Sequence, residues 1–146
     1  QWAAPLVHLE STVDQPVDAL RRLAVLGGED PAARLRLSRS DAKKHQVIAE
    51  YARGTMHLRE AAWRFGADIG WSITLVRHAL SEQPLAPETG AIIERAATAK
   101  FPLKAADLID KVTGPALGQA LKRSEMAWIE SDFELDRGAL VRIALK

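Results

Sequence analysis

The chain has 146 residues, of which 47% are hydrophobic and 27% charged, with a formal net charge of +1. That length allows one or two small domains with a buried core, and the near-neutral balance excludes a polycation that holds its partners by bulk charge alone. The absence of cysteine excludes disulfides, thiolate-bound metals and thiol nucleophiles, in keeping with a reducing cytoplasm, and no apolar run approaches the roughly 20 residues of a membrane helix.

In chain order every predicted element is helical, because apolar residues recur at spacings of three and four and strand-like alternation is scarce. Residues 17–26 form the first predicted helix, with Leu20, Leu23, Val25 and Leu26 inward and Gly27-Gly28 as its stop. Asp30-Pro31 starts a short second helix, with aspartate as cap and proline at the first position. Ser38-Arg39-Ser40-Asp41 resembles a capping box and opens a third helix that runs to about residue 53. Its apolar stripe is Val47, Ile48, Tyr51 and Ala52. The fourth helix, about residues 56–65, buries Leu58, Ala61, Ala62 and Phe65 and stops at Gly66. Asp68 is the expected cap of the fifth, on which Ile69, Ile73, Val76 and Leu80 align.

Prolines 84 and 87 mark the expected internal boundary, giving a body-like region 1–83 and a tail-like region 84–146. A sixth helix follows, with Ile92, Ile93, Ala96 and Ala97 inward, and Phe101-Pro102 ends it. Lys104 to about Asp110 leaves room for a short helix with Leu108 and Ile109 inward. Gly114-Pro115 opens a long one carrying Leu117, Leu121, Ser124 and Trp128 along one face, and a last helix occupies about residues 137–145. The expected fold is all-α: an array of about nine short helices packed as helical hairpins, with no sheet.

Charge is spread unevenly. Residues 17–64 carry ten Lys/Arg against six Asp/Glu, whereas residues 101–146 balance at seven of each. The steepest local excess is Arg34, Arg36, Arg39, Lys43 and Lys44 against Asp41 alone. Such a cluster suits RNA phosphates, and it equally suits an ordinary solvated helix face. The four histidines, His8, His45, His57 and His78, show no spacing that puts two metal ligands on one helix face, so surface or half-buried roles are expected. Asp107 and Asp110 lie three apart on a short helix, where capping and solvation account for them more simply than acid-base chemistry.

Trp2, Trp63, Trp71 and Trp128 offer either core packing or stacking platforms for bases. Trp128 shares the stripe of Leu117 and Leu121, and Trp63 and Trp71 flank a glycine corner, so core positions are expected for these three. Gly118 lies one turn inside the long helix, where glycine costs about 1 kcal/mol relative to alanine, so a close backbone or bulky neighbour is expected there. The corner Gly114, Pro115, Gly118 is also similar to a helix-hairpin-helix turn, whose backbone N–H groups hold a phosphate, with Lys104, Lys122 and Arg123 as nearby charge.

The order of these features resembles the C-terminal part of bacterial tRNA nucleotidyltransferases, the CCA-adding and poly(A) polymerase family. The matching pieces are Phe101-Pro102-Leu103, Asp107-Leu108, Gly114-Pro115-Ala116-Leu117-Gly118, Trp128-Ile129 and Asp132-Phe133. Upstream, Leu20-Arg21-Arg22-Leu23-Ala24-Val25-Leu26 and Ala33-Arg34-Leu35-Arg36-Leu37-Ser38 are similar to the start of the family's helical body. Residues 54–98 match in helical character only.

The resemblance implies an RNA-binding body and tail that hold the acceptor stem and elbow of tRNA by shape and phosphate contacts in the cytoplasm. The implied phosphate contacts are Arg34, Arg36, Arg39, Lys43 and Lys44, then Lys104, Lys122 and Arg123. The family's catalytic head, which adds nucleotides from CTP and ATP with Mg2+, carries a glycine-rich strand-turn and an Asp-x-Asp pair. The sequence contains no glycine-rich turn followed by such a pair, and Glu29 to Arg34 only approximates the family's Glu-Asp-x-x-Arg motif, with its arginine one residue late. No catalytic residue, metal or cofactor is therefore expected in this chain. The head is an expected N-terminal partner in a parent chain, and the start at Gln1 fits a piece of a longer protein. Two other readings stay open: a non-catalytic helical protein-interaction module, and a helix-hairpin-helix-like DNA-binding domain.

Overall fold

A computed structural model describes residues 3–13, 15, 18–27 and 35–146. The described residues are all-helical, with eight α-helices, one short 3-10 turn and no strand. They belong to two compact units, Gln1–Ala97 and Thr98–Lys146. The short helix expected from Asp30-Pro31 lies outside the described residues, as does Trp2.

In the first unit the helices are α1 (Ala3–Thr12), α2 (Ala19–Leu26), α3 (Arg39–Ala52), α4 (Leu58–Phe65), α5 (Ala67–Ser81) and α6 (Thr89–Thr98). Helix α5 is the centre, and α1 to α4 all pack on it. It buries Gly70 to Val76 without interruption, as expected of a helix covered on every side rather than on one stripe. At Gly70, an added Cβ would lie 2.9 Å from both Cα and Cβ of Ala62, so this glycine sets how closely α4 and α5 approach. The prolines at 84 and 87 sit inside the first unit rather than at its edge. The helix after them stays attached because Gly90 lies against the Trp71 indole, 3.4 Å from where a Cβ would be.

Helix α1 is absent from the sequence expectation. Pro5 falls in its first turn, where a missing N–H is tolerated. It buries Leu6 and Leu9, and its one charge, Glu10, turns inward. There Glu10 meets two guanidinium groups, Arg21 at 3.1 Å and Arg22 at 2.8 Å, while Arg21 Nε donates to Ser72 Oγ on α5 at 2.8 Å. Asp18 caps α2 by accepting from the N–H groups of Leu20 and Arg21. Ser38 caps α3, its hydroxyl accepting from the Asp41 N–H at 3.1 Å. Asp68, expected as the cap of α5, is not one. Gly66 occupies that position, and the Asp68 carboxylate instead holds Lys44 Nζ at 2.6 Å.

Between α3 and α4 the chain is fastened by one side chain. Arg77 donates to the carbonyls of Tyr51, Ala52 and Met56 at 2.6, 3.3 and 2.6 Å. Next to it His57 caps α4, its Nδ1 accepting from the Arg59 N–H at 3.1 Å. Burial, then the charges of Arg59 and Arg77, hold the His57 pKa below the ordinary value of 6.5. Burial, then Arg53, act the same way on His45. The folded unit therefore binds these protons less readily than the unfolded chain. Stability is full above pH 6.5 and falls as the pH drops from there through the folded-state values. His57→Ser replaces the capping ring nitrogen by a capping hydroxyl and removes the titration, so it is expected to reduce the loss of melting temperature between pH 7.5 and 5.5. Equal acid sensitivity in the variant would assign the effect elsewhere.

The second unit holds a 3-10 turn (Ala105–Asp107), α7 (Pro115–Glu130) and α8 (Arg137–Ala144). Here the motif residues meet. The Phe101 ring lies 5.2 Å from Trp128, and Phe133 stands edge-on to the same indole at 4.8 Å and 76°. Leu103 and Leu108 are buried in the same unit, and Trp128 is 2% exposed. Asp107 accepts from the Lys104 N–H at 2.8 Å and pairs with Arg137; the backbone bond first, then Arg137, hold its carboxyl below the ordinary carboxylate range.

Asp132 and Phe133 both adopt left-handed backbone, with φ +62 and +64. Their N–H groups close α7 on the carbonyls of Ile129 and Trp128, and the aromatic contact, worth about 0.5–1.5 kcal/mol beyond burial, offsets the strain at Phe133. Ser124, buried, bridges α7 to α8 with its hydroxyl 3.0 Å from the Ala120 carbonyl and 3.1 Å from that of Leu140. Ile109, expected inward, is 56% exposed. The 3-10 turn gives way to further turns after Asp107, so Leu108 and Ile109 do not share a helical face.

Candidate nucleic-acid interface

Helix α3 presents its cations by simple geometry. Arg39 and Lys43 are four residues apart, and so sit one above the other on the same face. Both are exposed, and neither pairs with a described acid. Asp41 lies about 160–200° around the helix from them, and so does not neutralise that face. Arg36, just before the cap, is exposed in left-handed backbone at φ +52. Lys44 faces another way and is held by Asp68. Three of the five expected cations of this cluster are therefore exposed, Arg39 and Lys43 on one helix face and Arg36 in the turn before it; one is engaged, and Arg34 lies outside the described residues. Beyond Gln46 the same face reaches Glu50, which ends the positive stretch roughly 10 Å past Lys43.

The second unit contributes differently. Lys104 and Lys122 are exposed. Arg123 donates to the Ala144 carbonyl at 2.9 Å and so closes the end of α8; its charge is partly structural. At the corner, Gly114 has φ +65 and Pro115 begins the helix. The Leu117 N–H turns back on the Gly114 carbonyl at 3.1 Å, so it does not point outward as expected. Gly118 has nothing within 4 Å of an added Cβ, which corrects the expectation of a packed neighbour. It shares an exposed face with Lys122, four residues on. Gly118→Ala is accordingly expected to stabilise this unit by about 1 kcal/mol, read as slower hydrogen exchange in α7.

Two tryptophans are buried, Trp71 and Trp128. Trp63 is only half-buried, and the Arg64 guanidinium lies 5.3 Å from its ring centroid. Helical spacing does not reveal that pair, because adjacent residues on a helix do not face each other. Tyr51 and Phe65 pack nearby at 5.0 Å, joining α3 to α4.

No protein family, curated protein or solved structure matches this chain. Among the described residues, no three His, Asp or Glu side chains converge where a metal ion would need them, and no helix is long and apolar enough to cross a membrane.

Proposed function

We propose that this chain is the RNA-binding body and tail of a tRNA nucleotidyltransferase of the CCA-adding and poly(A) polymerase type. In this reading it holds the acceptor stem and elbow of tRNA in the cytoplasm. The nucleotidyl chemistry, with Mg2+ and CTP or ATP, belongs to an N-terminal head of the parent chain. The observation that carries the RNA contact is the exposed helix face of Arg39 and Lys43, with exposed Arg36 in the turn before it, cations without a described acidic partner. The packing of Phe101, Leu103, Leu108, Trp128 and Phe133 into one unit supports the family reading, since those positions carry the resemblance. Shape recognition suits such a frame. A-form RNA hides its base edges in a deep groove, so cations on a rigid helical scaffold read backbone rather than sequence.

A gel-shift titration against tRNA and a duplex DNA of equal charge tests this. Saturable preference for tRNA, weakening steeply from low to physiological salt, is the expected result. Arg39→Ala and Lys43→Ala are each expected to reduce the slope of log affinity against log salt by roughly one, with melting unchanged. Preference for duplex DNA favours the helix-hairpin-helix alternative. Binding to neither nucleic acid favours the protein-interaction module, and salt-independent binding refutes the phosphate contacts. Gly118→Ala adds a local check, because a backbone approaching that open face loses affinity while the protein gains stability.

A further inference from the structure

We propose that a groove between α1 and the C-terminal end of α5 binds a small organic cation, a protonated amine carried on an apolar or aromatic group. The groove has a volume of about 420 Å³, within the range of roughly 300–1,000 Å³ typical of ligand pockets. Its walls are apolar: Pro5 and Leu9 come from α1, Pro84 and Leu85 from the turn after α5. His8 and His78 add two flat rings.

The polar rim carries one carboxylate and no fixed positive charge, with N–H donors from Gln83 and the two histidine rings. Glu82 brings a carboxylate. The Thr12 hydroxyl has given its proton to the Leu9 carbonyl at 2.8 Å and keeps its lone pairs. Helix α5 ends here, so its negative dipole end faces the rim. No lysine or arginine lines the groove, and Pro5 and Pro84 have no N–H to offer. Arg77, the arginine of α5, is committed to the carbonyls of Tyr51, Ala52 and Met56. On α1 the one charge, Glu10, is consumed by Arg21 and Arg22.

Glu82 is an exposed carboxylate on that rim. It occupies the left-handed cap of α5 at φ +54, a position that favours glycine. It makes no ion pair with any described residue. The left-handed turn closes α5, the N–H groups of Glu82 and Gln83 reaching the carbonyls of Ala79 and His78, and it leaves an unpaired carboxylate beside apolar walls, which suits an ammonium group on a hydrophobic body. The apolar walls select an amine with a hydrophobic body over a hydrated metal ion.

Three compounds of one skeleton test the charge preference on the full chain: 2-phenylethylammonium, 2-phenylethanol and phenylacetate. Carbon-detected NMR signals of the His8 and His78 rings and of the Leu9 and Leu85 methyls report the site. The ammonium compound is expected to titrate them with a dissociation constant on the order of 1 mM, and the alcohol and the acid to bind more weakly. Glu82→Gln keeps the strained backbone and removes the charge; it is expected to weaken the ammonium about two- to fivefold. Glu82→Gly is expected to melt higher than the parent and to bind no better than Glu82→Gln. The proposal is overturned if the acid or the alcohol binds as tightly as the ammonium, if Glu82→Gln leaves the affinity unchanged, or if these signals do not move. None of these outcomes depends on the RNA reading.

Discussion

Replacing Glu10 by leucine is expected to destabilise the first unit by about 3–5 kcal/mol, the cost of breaking a buried ion pair from one side. Arg21 is 1% exposed and Glu10 is 2% exposed, so water cannot take the carboxylate's place. Ser72 supplies Arg21 with a hydrogen bond but no charge. The opposite truncation is milder. Arg21→Met leaves Glu10 with Arg22, which reaches it at 2.8 Å from a side chain that is partly in water. The combined Glu10→Leu/Arg21→Met variant is expected to lose less than Glu10→Leu alone, because both halves of the buried pair are removed together. Hydrogen exchange of the α5 amides reads this unit separately from the second. A Glu10→Leu protein whose α5 amides exchange no faster than those of the parent would show that the guanidinium is not desolvated.

Gly70→Ala is expected to destabilise the first unit by up to about 2 kcal/mol, and the same substitution at Gly118 to stabilise the second. At Gly70 the new methyl meets Ala62 backbone and side chain at 2.9 Å, so α4 must move away from α5. Overpacking of this kind costs about 1–3 kcal/mol, and the better helix propensity of alanine returns about 1 kcal/mol of it. At Gly118 the propensity gain stands alone, since nothing lies within 4 Å. Opposite signs in the two units, measured by hydrogen exchange in α5 and α7, are the expected result. Stabilisation by Gly70→Ala would mean that α4 and α5 are farther apart than described.

The two glycines also mark where sequence reasoning fell short. Both interrupt helical runs, and only Gly118 drew an expectation of close packing, which it does not have. Which glycine faces a neighbour depends on how two helices cross, and no local pattern carries that. Asp68 misled for a similar reason. A carboxylate in the first turn looks like a cap, but Gly66 holds the cap position and Lys44, from another helix, takes the charge. Helix α1 escaped notice because Pro5 opens it and its exposed face carries no charge, so neither the usual start signal nor a polar stripe announced it.

Local chemistry in the sequence determined the helical class, most helix limits after residue 38, the cap at Ser38, and the inward face bearing Trp128. Each follows from spacing, proline and glycine, and side-chain oxygen near a helix start, all of which act within a few residues. The tertiary structure alone decided which charges remain exposed. Lys44 and Arg123 are engaged by groups 24 and 21 residues away, while Arg39 and Lys43 stay exposed. It also decided that Glu10 lies inside and that Glu82 borders a groove, because a charge is satisfied or left over only once distant helices have met.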